Sequence, residues 1–352
     1  MKLLYITNGI TGIGGLERVL SIKASYLAEQ LRYDVHIITL NEKTDKPFYT
    51  FSPKIKFHNV KTRGNGLCYL YSYITGINRI INNILPDIIS VCDDGLKGLY
   101  VPVWIKRQNA SIIYERHASL KLNQSVIQSF LIKLGGLLYD RVIVLTKYNL
   151  TEWIGHNLKV IPNPLSFIPK EKSKLDQKKI ICVGSLSHNK GYDLLIEAWS
   201  KIAMEFPDWE INVYGKGEIR LYEEIVQEKG INNICFCGPT NNVMEKMMNA
   251  SLLVLPSRSE GFGMVLIEAM ACGLPCVAFD CPCGPRDIIQ DGENGLLVPA
   301  ENVELLAKSI KQLITDNQML HAMGANACKS IGQFSVENVC QVWNKLFHEL
   351  IK

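Results

Sequence analysis

The chain has 352 residues, 47% of them hydrophobic and 20% charged, with 38 Lys and Arg against 34 Asp and Glu for a net charge of +4. That composition is globular and long enough for two cores; it excludes a disordered or collagen-like chain and calls for no nucleic-acid partner. Eleven cysteines are sparse over this length, and no C-x2-C pair has a matching second pair, so they read as small residues of a reduced cytosolic protein, not a disulfide scaffold or a zinc site.

The opening MKLLYITNGI is apolar, too short for a signal peptide and without a cleavage site, so it reads as a first buried strand. The glycine loop Thr7-Asn-Gly-Ile-Thr-Gly-Ile-Gly-Gly15 follows, and a helix begins near Leu16. Such a turn cradles phosphate, in nucleotide sugars and dinucleotides alike. Apolar runs at residues 3–7, 35–40, 88–92, 112–115 and 142–145 are expected as strands. His117 follows the fourth of them, at the rim of a sheet. The apolar stretch 126–146 is interrupted by Lys133, Asp140 and Arg141, which argues against a membrane-spanning helix.

A second series of strands starts at Ile180 and continues at 211–214, 234–237, 252–255 and 276–279. Strands separated so regularly by helical patterns imply βαβ units and parallel sheets, here two α/β Rossmann-like domains. The break is expected near Val160-Ile-Pro-Asn-Pro164, giving domains at 1–163 and 164–335. In NICFCG, Cys235 and Cys237 alternate with apolar neighbours and are expected on one buried face. Ligands of open α/β sheets bind beyond the carboxyl ends of the strands, so if the two domains face each other the site lies in the cleft.

Two loops carry the chemistry. Gly184-Ser-Leu-Ser-His-Asn-Lys-Gly191 follows the strand IICVG and opens the helical YDLLIEAW. A lysine at a helix N-terminus opposes the helix dipole and favours an anionic partner, which makes Lys190 the diphosphate candidate, beside Gly184 and Ser185. The second loop joins the apolar run 251–256 to the helix-forming 264–271. Gly261 and Gly263 let backbone approach a ligand, Glu260 lies in the loop, and Glu268 lies about one turn down the helix. A lone E-x7-E is usually a capping or dipole pair. Flanked by glycines and by strand signals on both sides, two carboxylates beside phosphate-binding amides suit a ligand with hydroxyl pairs, such as a nucleotide sugar.

The segment Glu260-Gly-Phe-Gly-Met-Val-Leu-Ile-Glu268, with Gly273-Leu-Pro275 and Asp291-Gly-Glu-Asn-Gly295-Leu-Leu-Val298, resembles the retaining GT-B glycosyltransferases of family four, the group 1 glycosyl transferases. The match is dense in the C-terminal half and thinner before it. It implies a GT-B fold with two Rossmann-like domains facing across a cleft, an acceptor-binding N-terminal domain, a donor-binding C-terminal domain and a last helix, about 336–352, packed back on the first. It implies that Glu260 contacts the donor sugar and Glu268 the ribose hydroxyls, within a donor loop that takes in Arg258, Gly261, Phe262, Gly263 and Met264. It also implies that Gly14 and Gly15 approach the donor phosphate or the acceptor, and that His117 touches the sugar. Glu260, His117 and Lys190 are then the catalytic candidates. The family usually has Arg directly after the glycine, where this chain has Ser185; Arg258 or Arg286 is expected to substitute, or phosphate binding rests more on amides.

The activity so implied is transfer of a sugar, with retention, from a nucleoside diphosphate sugar (a UDP-sugar is favoured) to a hydroxyl of a glycan or lipid-linked acceptor in bacterial surface polysaccharide synthesis. No metal or other cofactor is expected, because cations and amides neutralise the leaving diphosphate and Asp93-Asp94 lacks D-x-D spacing. The expected location is cytoplasmic, with peripheral contact at the inner membrane. One alternative is a sugar-nucleotide-binding protein without catalysis. Another is an NAD(P)-dependent oxidoreductase, since the first glycine loop resembles the T-G-x-x-x-G-x-G of short-chain dehydrogenases out of register. Those enzymes need Tyr-x-x-x-Lys, and none of the 14 tyrosines has Lys four residues later.

Overall fold

The computed structural model describes residues 1–42, 46–117 and 126–351. Its first sheet comprises β1 (Lys2–Thr7), β2 (Asp34–Leu40), β3 (Lys56–Val60), β4 (Ile88–Cys92), β5 (Ser111–Glu115), β6 (Arg141–Val144) and β7 (Leu158–Val160), in the order β3-β2-β1-β4-β5-β6-β7. The second comprises β8 (Lys179–Val183), β9 (Glu210–Tyr214), β10 (Ile234–Gly238), β11 (Leu252–Leu255), β12 (Cys276–Asp280) and β13 (Gly295–Pro299), in the order β10-β9-β8-β11-β12-β13. Every neighbouring pair is parallel. The chain divides into two compact units, Met1–Ser166 with Phe334–Lys352, and Phe167–Gln333.

Central strands are apolar without alternation because helices cover both faces of a parallel sheet. Leu3, Leu4, Tyr5 and Ile6 of β1 are all essentially inaccessible. Helix α1 (Gly15–Glu29) packs one face with Leu20, Ala24 and Leu27, spaced as one helical stripe. The last helix, Val336–Leu350, contributes Val339, Trp343, Leu346 and Phe347 to that same core. The second helix, α2 (Gly66–Ile84), buries Tyr73, Ile77, Ile81 and Ile84 on the other face. The proline segment 160–164 is not an exposed linker: Ile161 and Asn163 are buried, and Leu165 N–H donates to Phe334 O at 2.7 Å.

Three strands, β3, β7 and β13, lie outside the expected series; β13 is the apolar GLLVP, whereas β3 and β7 carry no apolar run. All three lie at sheet edges, where a strand needs only one covered face and tolerates the polar KFHNV or the three-residue LKV. The expectation of buried Cys235 and Cys237 is corrected. Both are exposed, because on edge strand β10 the larger Ile234 and Phe236 take the inward positions and a period of two turns the cysteines outward. No helix of the described residues is long and apolar enough to cross a membrane.

In each sheet the strand order reverses once, between β1 and β4 and between β8 and β11. Loops leaving adjacent strands at such a point diverge to opposite faces and leave a crevice at the strands' carboxyl ends.

Candidate functional site

In the second unit, the two loops singled out in the sequence leave β8 and β11, the strands on either side of the reversal. They are knitted together. Arg258 N–H donates to Asn189 O at 2.8 Å, and Asn189 Nδ2 returns a bond to Ser259 O at 2.8 Å. Gly191, at φ +67, has its α-carbon so close to the Pro256 carbonyl that a Cβ would overlap it. The β12 loop joins through Glu260 N–H to Pro282 O at 3.2 Å. Gly263, at φ +90, ends the β11 loop as the N-cap of the helix Met264–Ala271, and its carbonyl accepts from Leu266 N–H at 2.9 Å; the N–H groups that open a helix have no acceptor one turn back.

Lys190 and Glu260 meet here, Nζ to Oε1 at 2.6 Å, with side chains 19% and 9% exposed. Lys190 lies directly before the N-cap of the helix it was expected to open: it closes the 3-10 turn His188–Lys190, Gly191 caps the helix Tyr192–Ser200, and Asp193 occupies that helix's first turn. The stem of Lys190 lies along Gly184, whose carbonyl accepts from the Tyr192 hydroxyl at 3.2 Å. Glu268 is 2% exposed within the helix Met264–Ala271. Phe262 is buried in the loop between the two carboxylates.

The two arginines offered as substitutes at Ser185 are both paired. Arg258 makes a two-pronged bond to Asp193 (2.9 and 2.6 Å) and donates to His188 O at 2.6 Å. Burial pushes the Asp193 carboxyl up, but its bonds with Arg258 dominate and hold it below the usual range. Arg258 thus locks the loop and is half-spent as a cation. Arg286 pairs with Asp280 on an exposed surface.

In the first unit, His117 follows β5 with its ring only 11% exposed, its N–H donating to Asp94 Oδ1 at 3.2 Å and its Nε2 3.5 Å from Glu115 Oε2. Its Nδ1 is buried with no hydrogen-bond partner among the described residues. Glu115 is wholly buried, bonded to Lys23 Nζ and to Ser90 Oγ, the latter at 2.5 Å. The Lys23 ammonium also lies 4.1 Å from the centre of the Trp343 ring, a cation–π contact with the last helix. Burial pushes the Glu115 carboxyl up, yet Lys23 and His117 overrule it and hold its pKa at about 2. Cys92, Glu115 and His117 bring ligand atoms within 4.8 Å of one another. They do not fit a metal ion, because the Lys23 ammonium already neutralises Glu115 and burial keeps the Cys92 thiol protonated.

The first glycine loop is less suited to phosphate than its sequence implies. The Ile10 and Thr11 amides donate to Glu42 Oε1 at 2.6 and 3.3 Å, and the Glu17 carboxylate lies against Gly12 and Gly14. Two of the chain's own carboxylates occupy an anion cradle there. Gly15 has open space around it.

The family model of the glycosyl transferases group 1 matches residues 166–330, and that of glycosyl transferase 4-like matches residues 16–120. The chain belongs to the group 1 glycosyl transferases. The enzyme is 28% identical to an uncharacterised glycosyltransferase of Haemophilus influenzae, over 97% of this chain and 98% of the relative. It is 26% identical to an amylovoran biosynthesis glycosyltransferase of Erwinia amylovora, over 99% of both chains. The crystal structure of Anabaena HepE in complex with UDP and glucose superposes with a TM-score of 0.79 at 19% identity, covering 99% of each chain, which shows the shared GT-B fold.

Several residues of the transferase's loops escaped the sequence reading. Ser257 and Ser259 place buried hydroxyls with no partner among the described residues in the β11 loop. Asn189 and Asp193 hold that loop, and Lys23 holds Glu115. Lys23 had a signal: it falls on the stripe of Val19, Leu20, Ala24 and Leu27, where a lysine requires a buried partner.

Proposed function

We propose that this transferase moves a sugar from a nucleoside diphosphate sugar, with UDP-sugar favoured, to a hydroxyl of a glycan or lipid-linked acceptor, with retention, in the assembly of a bacterial surface polysaccharide. The observation that carries the reading is the pairing of Lys190 with Glu260 beside the N-terminus of the helix Met264–Ala271, at the point of strand reversal. A diphosphate arriving at these loops competes with Glu260 for the Lys190 ammonium and gains the helix's first amides. Glu260, so released, accepts from sugar hydroxyls, and Glu268 takes the ribose hydroxyls. Positive charge on Lys190 and the amides stabilises the departing diphosphate without a metal ion. His117 is assigned a contact with the sugar. The UDP and glucose bound by HepE and the amylovoran relative support the donor class and the setting.

A thermal-shift series with UDP-, GDP- and ADP-sugars tests the donor class. A ligand at 100 times its dissociation constant adds about 2.7 kcal/mol of stability. The reading predicts a shift with at least one nucleotide sugar and with its free diphosphate; no shift with any of them contradicts it.

A further inference from the structure

The charge of this chain is unevenly placed. Residues 46–86 contain Lys46, Lys54, Lys56, Lys61, Arg63 and Arg79 and not one Asp or Glu, so this segment exceeds the +4 of the whole chain and the remainder is net negative. Lys56 is paired with Asp34. For Lys61, Arg63 and Arg79 no carboxylate lies within ion-pair distance among the described residues. The three line one open depression together with Leu67 and Tyr71.

The structure explains how they come together. The inner side of α2 is consumed by the core, through Tyr73, Ile77, Ile81 and Ile84. Its outer side presents Leu67, Tyr71, Thr75 and Arg79, successive i, i+4 positions on one line along the helix. Leu67 is 85% exposed and Tyr71 is 72% exposed. The turn between β3 and α2 brings Lys61 and Arg63 alongside, with Arg63 N–H anchored to Ser72 Oγ at 2.9 Å. Exposed single apolar side chains are ordinary on a protein surface. A leucine and a tyrosine one turn apart, bracketed by three unpaired cations on an acid-free segment, are not, and they match an interfacial helix face.

We propose that the outer face of α2 and the β3–α2 turn dock on an anionic lipid bilayer, Leu67 and Tyr71 entering the headgroup layer and Lys61, Arg63 and Arg79 pairing with lipid anions. Charge complementarity selects the occupant. A nucleic acid would satisfy the cations and stack on Tyr71 but leave Leu67 in water, whereas a bilayer offers an anionic headgroup layer to the cations and an apolar layer beneath it to Leu67. The donor loops have no part in this surface, so it stands or falls apart from the catalytic reading.

The test is co-sedimentation of the full chain with vesicles of phosphatidylcholine alone and with vesicles containing about one third phosphatidylglycerol, at low and high salt. Binding is expected on the anionic vesicles at low salt, weakened by salt, and slight on phosphatidylcholine. Each surface cation contributes about fivefold to partitioning, so Arg63→Gln with Arg79→Gln is expected to weaken it on the order of 25-fold. Leu67→Ser with Tyr71→Ser is expected to lower it without changing the salt dependence. All four side chains lie outside the core, and melting curves matching the unsubstituted protein verify folding; Lys61→Gln provides an independent third site. No binding to anionic vesicles, equal binding to both vesicle types, or binding unchanged in both double variants overturns the proposal. So does binding of a single-stranded oligonucleotide with no binding to vesicles.

Discussion

Lys190 Nζ and Glu260 Oε1, 70 positions apart in sequence, lie 2.6 Å apart and tie the loop after β8 to the loop after β11. Each neutralises the other's charge, that of Lys190 partly buried and that of Glu260 buried. A ligand able to replace either partner is therefore met by a site with both a cation and a carboxylate to offer.

The pair is expected to act as one unit in turnover. Lys190→Ala removes the cation facing the leaving diphosphate, and losses of about 100- to 1000-fold in kcat are typical for one such electrostatic group. It also leaves Glu260 buried without its cation, so the double variant with Glu260→Ala should lose less than the product of the single losses, by about 0.5–3 kcal/mol in the double-mutant cycle. Strict additivity in kcat/KM would show the two to be independent.

Lys23→Met should destabilise the protein by about 3–5 kcal/mol, because Glu115 is left as an uncompensated buried charge. The sign of the pH dependence separates this from a packing defect. In the unsubstituted protein the Glu115 pKa is depressed to about 2, so its stabilising contribution is complete above its ordinary value of 4.5 and is lost only as pH falls from there through about 2. Without Lys23, burial dominates and raises that pKa above the unfolded value, so the variant should gain stability relative to the parent as pH falls from 7 to about 5. A stability difference constant over that range, by denaturant titration, contradicts the account.

The β–α order, the parallel sheets and the two carboxylates were legible because each leaves a local mark: an uninterrupted apolar run, or Glu260 and Glu268 set among glycines after a strand. The edge strands β3 and β7 left none, since half-covered strands need no apolar run. The outward cysteines of β10 were misplaced because alternation fixes which residues share a face but not which face is buried; Phe236 decided that. The partners of the charged residues were not legible at all. Lys190 with Glu260, Arg258 with Asp193 and Lys23 with Glu115 are separated by 65 to 92 positions and meet only in the folded chain. Asp193 thus ties into the loop the Arg258 that the sequence offered as a phosphate ligand.

Arg258→Lys should expose that anchoring role. Lysine keeps the charge but cannot reproduce the two-pronged bond to Asp193 or the bond to His188 O. The expected result is a turnover defect with loosened loops, read as faster proteolysis or hydrogen exchange at residues 184–191 and 256–263. Unchanged exchange together with unchanged turnover would remove Arg258 from the scaffold.

Turnover should survive EDTA, because Lys190 and helix amides carry the charge stabilisation. Activity abolished by chelation and restored by magnesium or manganese would contradict this mechanism.

The central claim is that Glu268 serves the nucleoside and Glu260 the sugar. Calorimetric titration of the free nucleoside diphosphate into the two alanine variants tests it most directly. Glu268→Ala should weaken the free nucleotide by about 1.5–3 kcal/mol, the loss of a charge-assisted hydrogen bond. Glu260→Ala should bind the free nucleotide nearly as the parent does while kcat with the intact donor falls, since contacts that tighten as charge develops at the anomeric carbon act on the transition state. Equal loss of nucleotide affinity in both variants, or none in either, would contradict the account.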